Sequence, residues 1–186
     1  MLDPSVLAPE KPRRLKRSEY ERLVELGMFE DERVELLYGT IVEMSPAYPE
    51  HAGPITQLNM LLVPALVGRA AVRVQLSLLA EEESVPEPAL AIVPLKSYQH
   101  EHPAGALLVI EVASSSLRKD RIFKAPLYAA SGVAEYWIVN VSDRRIEVLA
   151  DSDGARYQTE QSYGIGEKLA PRAFPDVTLN VADVFA

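Results

Sequence analysis

Apolar residues change their spacing from segment to segment along this chain, and the spacing sets the expected order of helices and strands. Ser18 followed by Glu21 has the form of a capping box, and Tyr20, Leu23 and Val24 share a helical face before Gly27 stops the segment. Residues 33–37 and 40–44 flank Tyr38-Gly39 and predict a β-hairpin. After Ser45-Pro46 and a loop, Pro54 is placed to open a helix in which Ile55, Leu58, Leu62 and Leu66 form one apolar face. Pro64 should kink that helix or end it early. Val72, Val74, Leu76 and Leu78 alternate with Arg73, Gln75 and Ser77, the period of a half-buried strand.

Residues 89–93 form a short apolar run between Pro88 and Pro94. Residues 106–112 form a longer one, apolar on both faces except at Glu111, which suits a central strand. Residues 120–131 predict a helix ending at Gly132, with Ile122, Phe123 and Leu127 facing inward and Pro126 as the discordant residue. Residues 134–141 and 145–149 predict a second hairpin around Ser142-Asp143-Arg144, and the remainder a further strand or two and a terminal turn. This succession gives an α/β (α+β) fold, a mixed central β-sheet flanked by helices.

Residues 1–17, rich in proline and charge, read as a flexible N-terminal tail, and 18–186 as a single domain with a substantial core. No apolar stretch approaches the ~20 residues of a membrane helix. The chain has no cysteine, hence no disulfide framework and no thiolate metal site, and the expected compartment is the cytoplasm. A net charge of −8 changes the picture more. Binding to phosphates is driven by counterion release, so contact with nucleic acid would need a local basic patch. Lys11, Arg13, Arg14, Lys16 and Arg17 form one such group, and Arg118, Lys119, Arg121 and Lys124 form another. Solvated surface is the plain reading of both, with a flexible arm for the first, and it is the preferred one for the first group.

The chemistry-bearing residues are few. Glu111 sits between Ile110 and Val112, where a buried carboxylate is costly unless paired, hydrogen-bonded or bound to metal. Glu35, between Val34 and Leu36, has the same ambiguity. If the two converge, they form an oxygen-rich site suited to Mg²⁺ or Mn²⁺. Lys124 follows Asp120 by four residues, which by spacing alone is an exposed ion pair worth ~0.3–0.5 kcal/mol. The alternative projects Lys124 over the strand end towards Glu111. His51 reads as a cap or surface residue, and His100 and His102 lack ligand spacing. No serine-hydrolase elbow or nucleotide-binding glycine motif occurs.

Several of these segments together resemble the Uma-two-type family of restriction endonucleases, within the PD-(D/E)xK nuclease superfamily. The matching pieces are Arg-Val-Glu-Leu-Leu-Tyr-Gly at 33–39, Met-Ser-Pro at 44–46 followed by His51, and Glu-Pro at 87–88. The most specific stretch is Leu-Leu-Val-Ile-Glu-Val-Ala-Ser-Ser-Ser-Leu-Arg-Lys-Asp-Arg at 107–121, continuing through Lys124, Tyr128 and Gly132-Val133-Ala134-Glu135-Tyr136-Trp137-Ile138-Val139. The resemblance implies a nuclease-like core with added β-hairpins, in which Glu35 and Glu111 hold Mg²⁺ or Mn²⁺ and Lys124 acts in catalysis. It implies DNA as partner and, by analogy, a homo-oligomer, a dimer. The chain departs from the family pattern where Pro-Asp is expected, because Ala89 follows Pro88. Glu87, two residues earlier and ~6.8 Å away along a strand, could replace that carboxylate only if the backbone bends. The expected function is therefore metal-dependent DNA endonuclease action impaired by Ala89. The competing one is a catalytically inactive nuclease-fold module that binds nucleic acid or protein.

Overall fold

The computed structural model describes residues 9–44 and 48–186. The Ser45-Pro46 step expected after the first hairpin lies outside the described residues. In chain order come α1 (Arg17–Glu25), β1 (Val34–Leu37), β2 (Thr40–Glu43), α2 (Pro49–Leu66), β3 (Ala70–Val74), β4 (Leu90–Pro94) and β5 (Leu108–Ala113). A continuous helical segment follows, made of α3 (Leu117–Lys119), a π-helical turn (Asp120–Lys124) and α4 (Ala125–Ala130). The chain then runs through β6 (Glu135–Asn140), β7 (Arg145–Ser152), β8 (Tyr157–Tyr163), β9 (Lys168–Leu169), β10 (Leu179–Asn180) and α5 (Val181–Val184).

The framework is a six-stranded mixed sheet in the order β3-β4-β5-β6-β7-β8. Only β5 and β6 run parallel, and the helical segment 117–130 is the crossover that such a pair requires. Every residue of β5 and β6 is buried, as the apolar run on both faces of the former predicts. Alternation along β5 then assigns the faces. Leu108, Ile110 and Val112 pack under α2 with Ile55, Leu58, Leu62 and Leu66. Val109 and Ala113 pack on the other side, with Ala125 and Tyr128 of the crossover. Glu111 shares that second face by the two-residue period.

The β1–β2 hairpin lies outside the main sheet and joins it through an antiparallel bridge between Leu36 and Val85. Leu36, Val34, Tyr20 and Val85 form its small core, and the Tyr20 hydroxyl donates to the Val34 carbonyl at 3.0 Å. Its turn uses Tyr38 and Gly39, both at positive φ, as a two-residue hairpin of this kind demands. The Leu15 N–H donates to the Gly39 carbonyl at 2.9 Å, so the segment before α1 lies along this turn.

Four expectations are corrected. The first helix is not boxed by Ser18 and Glu21; it is Glu19 that reaches back, accepting from the Lys16 N–H at 2.9 Å. Helix α2 starts at Pro49 rather than Pro54 and runs through Pro64 to Leu66, leaving its inward face as expected. Strand β3 ends at Val74, because Gln75 turns to positive φ and sends its N–H to the Ala89 carbonyl; Leu76 is exposed while Leu78 re-enters the core. Ile122 and Phe123 are about half exposed rather than inward, while Leu127 is buried. The π-turn is the reason: its wider turn moves the inward face onto Asp120 and Lys124. Among the described residues no helix is long and apolar enough to cross a membrane.

Candidate functional site

The β1–β2 hairpin, strand β5 and the crossover bring Glu35, Glu111 and Lys124 together at one end of β5. Lys124, buried on the π-turn, places Nζ 2.9 Å from Glu35 Oε2 and 2.8 Å from Glu111 Oε1. The exposed i,i+4 pair suggested by the Asp120–Lys124 spacing is therefore not what forms. Lys119, one turn earlier, donates to Glu35 Oε1 at 3.0 Å. The Tyr128 hydroxyl, one turn later, donates to Glu111 Oε1 at 2.8 Å. One helical segment thus supplies three donors to two buried carboxylates that arrive from separate strands.

Electrostatics follow from this packing. Burial alone would push the Glu35 carboxyl up, but Lys124 and Lys119 outweigh it and hold it below its ordinary value. Burial would likewise strip the proton from Lys124, yet Glu111, Glu35 and Asp120 together hold it above the ordinary lysine value. Asp120 is pushed up to about 7, first by burial and then by the neighbouring charge of Glu111, although Ser116 donates to its Oδ2 at 2.6 Å.

Above these groups lies a cavity of about 240 Å³. Asp120, Lys119 and Lys124 line it from the crossover and Glu111 from β5; His51 and Tyr48 line it from the start of α2. His51, read from sequence as a cap or surface residue, is partly buried here. Burial lowers its pKa, with Glu111 opposing that shift. Asp120 is the member that sequence spacing misassigned, and no signal short of the π-turn marks it as inward. His102 instead meets Arg73, with its Nδ1 3.2 Å from the guanidinium.

Ala89 also lines the cavity. It stands one step beyond the Leu90–Ile110 pair of the β4–β5 ladder, across from Glu111, and its N–H lies 3.4 Å from Glu111 Oε2. Glu87 also lines the cavity. Its N–H donates to Glu35 Oε2 at 3.3 Å, while its own carboxylate turns to Arg33 at 3.5 Å.

The profile of the Uma-two family, described as "Putative restriction endonuclease", matches residues 17–182. The chain belongs to this family. The crystal structure of a putative nuclease belonging to DUF820 from Anabaena variabilis has the same fold, with a TM-score of 0.70 at 13% identity, covering 92% of this chain and 97% of that one. No curated protein matches the chain.

Membership in the family carries a general expectation of divalent-metal dependence, and the donor set can be tested against it. All four carboxylate oxygens of Glu35 and Glu111 already accept from donors: Lys119, Lys124 and the Glu87 N–H on Glu35, Lys124, Tyr128 and the Ala89 N–H on Glu111. Among the described residues no three His, Asp or Glu side chains gather into a cation site. As it stands, the centre does not fit a divalent cation.

Proposed function

We propose that this chain is a DNA endonuclease of the phosphodiester-hydrolysing type whose activity is impaired at Ala89. The observation that carries the reading is the place of Ala89, across the ladder from Glu111 and on the wall of the cavity that Lys124 also lines. A carboxylate there would share a cation with Glu111, and Mg²⁺ or Mn²⁺ is the hard, oxygen-seeking ion that such a pair would take. Glu35 and Glu111 are the remaining carboxylates of that centre. Lys124 is the cation of this chain positioned to hold a water or a phosphate oxygen once released from them.

The same geometry limits contact with DNA. Of the basic group Arg118, Lys119, Arg121 and Lys124, three are engaged internally, since Arg121 holds Glu147 through two hydrogen bonds of 2.8 and 2.5 Å. With a net charge of −8, affinity for duplex DNA is expected to be weak and strongly salt-dependent. The test is cleavage of supercoiled plasmid in Mg²⁺ and in Mn²⁺ by the protein, by Ala89→Asp, and by Lys124→Ala in both backgrounds. The reading expects cutting by Ala89→Asp that is lost with Lys124→Ala, and little or none by the parent. Efficient cutting by the parent would refute the impairment, and no cutting by Ala89→Asp would refute the endonuclease reading in favour of a catalytically inactive nuclease-fold module.

A further inference from the structure

We propose that Lys124 is the resident cation of this centre: its ammonium occupies the place between Glu35 and Glu111 that a metal would need, so the native protein binds no divalent metal there. The inference rests on reading Glu35 and Glu111 as the remaining carboxylates of a metal centre. It goes beyond that reading by naming what neutralises them.

Three observations converge. The Lys124 ammonium has three N–H donors, and two of them point at oxygens of different carboxylates at ordinary charge-assisted distances, 2.9 and 2.8 Å. The lysine is almost wholly buried and the two glutamates nearly so, so bulk ions cannot screen or replace it cheaply. Finally, the position that would add a third carboxylate and tilt the balance towards a divalent ion is Ala89. Lys124, with Lys119 on the outer oxygen of Glu35, balances the two charges of Glu35 and Glu111. This pair of carboxylates therefore keeps no excess negative charge of its own to attract a second cation.

Removing the ammonium reverses this balance. Lys124→Met keeps the apolar stem of the side chain but leaves Glu35 and Glu111 buried without the cation they share. The site then has the charge that a hard divalent ion requires, and a vacated acceptor position on each of two facing oxygens, Glu35 Oε2 and Glu111 Oε1. A native structural lysine would thereby become replaceable by a metal.

The experiment measures Mn²⁺ binding by electron paramagnetic resonance, together with melting temperature in chelator and in Mn²⁺. It uses the parent protein, Lys124→Met, and Lys124→Met combined with Glu35→Gln. The parent should bind no Mn²⁺ and melt at the same temperature in both buffers. Lys124→Met should melt lower in chelator, bind one Mn²⁺ and recover in its presence by several degrees. The double variant, with one carboxylate neutralised, should regain stability in chelator and lose the Mn²⁺ response. Mn²⁺ bound by the parent and lost in Glu111→Gln would overturn the proposal. So would a Lys124→Met protein, folded or unfolded in chelator, that Mn²⁺ neither binds nor rescues. These outcomes are independent of DNA cleavage: Ala89→Asp can fail to cut while Lys124→Met gains a metal, and the two readings then separate.

Discussion

The N–H of Ala89 lies 3.4 Å from Glu111 Oε2, across the end of the β4–β5 ladder. A side chain at position 89 therefore decides how much negative charge collects at this end of the sheet. Ala89→Asp sets a carboxylate across from Glu111, and like charges in that relation are destabilising. The variant should melt below the parent in chelator and recover in Mg²⁺. Metal polarisation contributes several kcal/mol of transition-state stabilisation, and each ~1.4 kcal/mol is tenfold, so plasmid cleavage should rise at least ~100-fold over the parent. A melting temperature indifferent to Mg²⁺ would count against the restored site.

Tyr128 is buried, and its hydroxyl donates to the same Glu111 oxygen that Lys124 holds. Tyr128→Phe removes one charge-assisted hydrogen bond and little volume. The expected loss is ~1.5–3 kcal/mol, read as a lower urea midpoint with an unchanged slope. A midpoint equal to the parent's would show that Lys124 alone satisfies that oxygen, Glu111 Oε1.

Asp120 gives the centre a pH dependence of definite sign. Burial and Glu111 raise its folded pKa from 3.8 to about 7, so the folded state holds a proton that the unfolded chain has released. This contribution to stability is complete below 3.8 and is lost as pH rises towards about 7. Asp120→Asn fixes an uncharged side chain there. It should melt higher than the parent above about pH 7, with the gap closing as pH falls towards 3.8, as followed by thermal denaturation across that range. A gap independent of pH would mean that Asp120 does not titrate in this window.

Gly39 closes the hairpin that carries Glu35. Its φ is +75°, and an added Cβ would collide with the Arg14 side chain. Gly39→Ala should cost ~1–3 kcal/mol of unfolding free energy. The nearest atom is the Arg14 Cβ, which alanine would keep. Arg14→Gly is therefore the change that relieves the collision, and the double variant with Gly39→Ala recovers part of that loss. Equilibrium unfolding of the two single variants and the double measures this directly.

The fold was largely legible because period and burial agree where the sheet is covered on both faces. The run through Glu111 predicts a central strand, and β5 is one. Spacing likewise found the inward face of α2 from Ile55 to Leu66. Elsewhere local geometry intervened. The alternation from Val72 to Leu78 continues past Gln75, but the chain does not, because a backbone turn leaves no trace in apolar period. Glu35, Glu111 and Lys124 were each recognisable as candidates, yet their convergence is tertiary and no spacing encodes it. Asp120 and Ile122 stand opposite to what a regular 3.6-residue period predicts, buried for exposed, because this segment does not keep that period.

That irregular segment carries a residue to spare on its outer side. An α-helix advances ~100° per residue, and the π-turn at Asp120–Lys124 accommodates a residue more than a regular turn would. Ile122 and Phe123 are half exposed on it, so exchanging either for another side chain disturbs little. Deleting either one restores a regular helix in which Asp120 and Lys124, then three residues apart, still share a face at ~60° to each other. In a regular helix the same deletion would turn everything beyond it by ~100°. Between Asp120 and Lys124 the chain thus carries one residue that it can lose while its buried charges keep their common side.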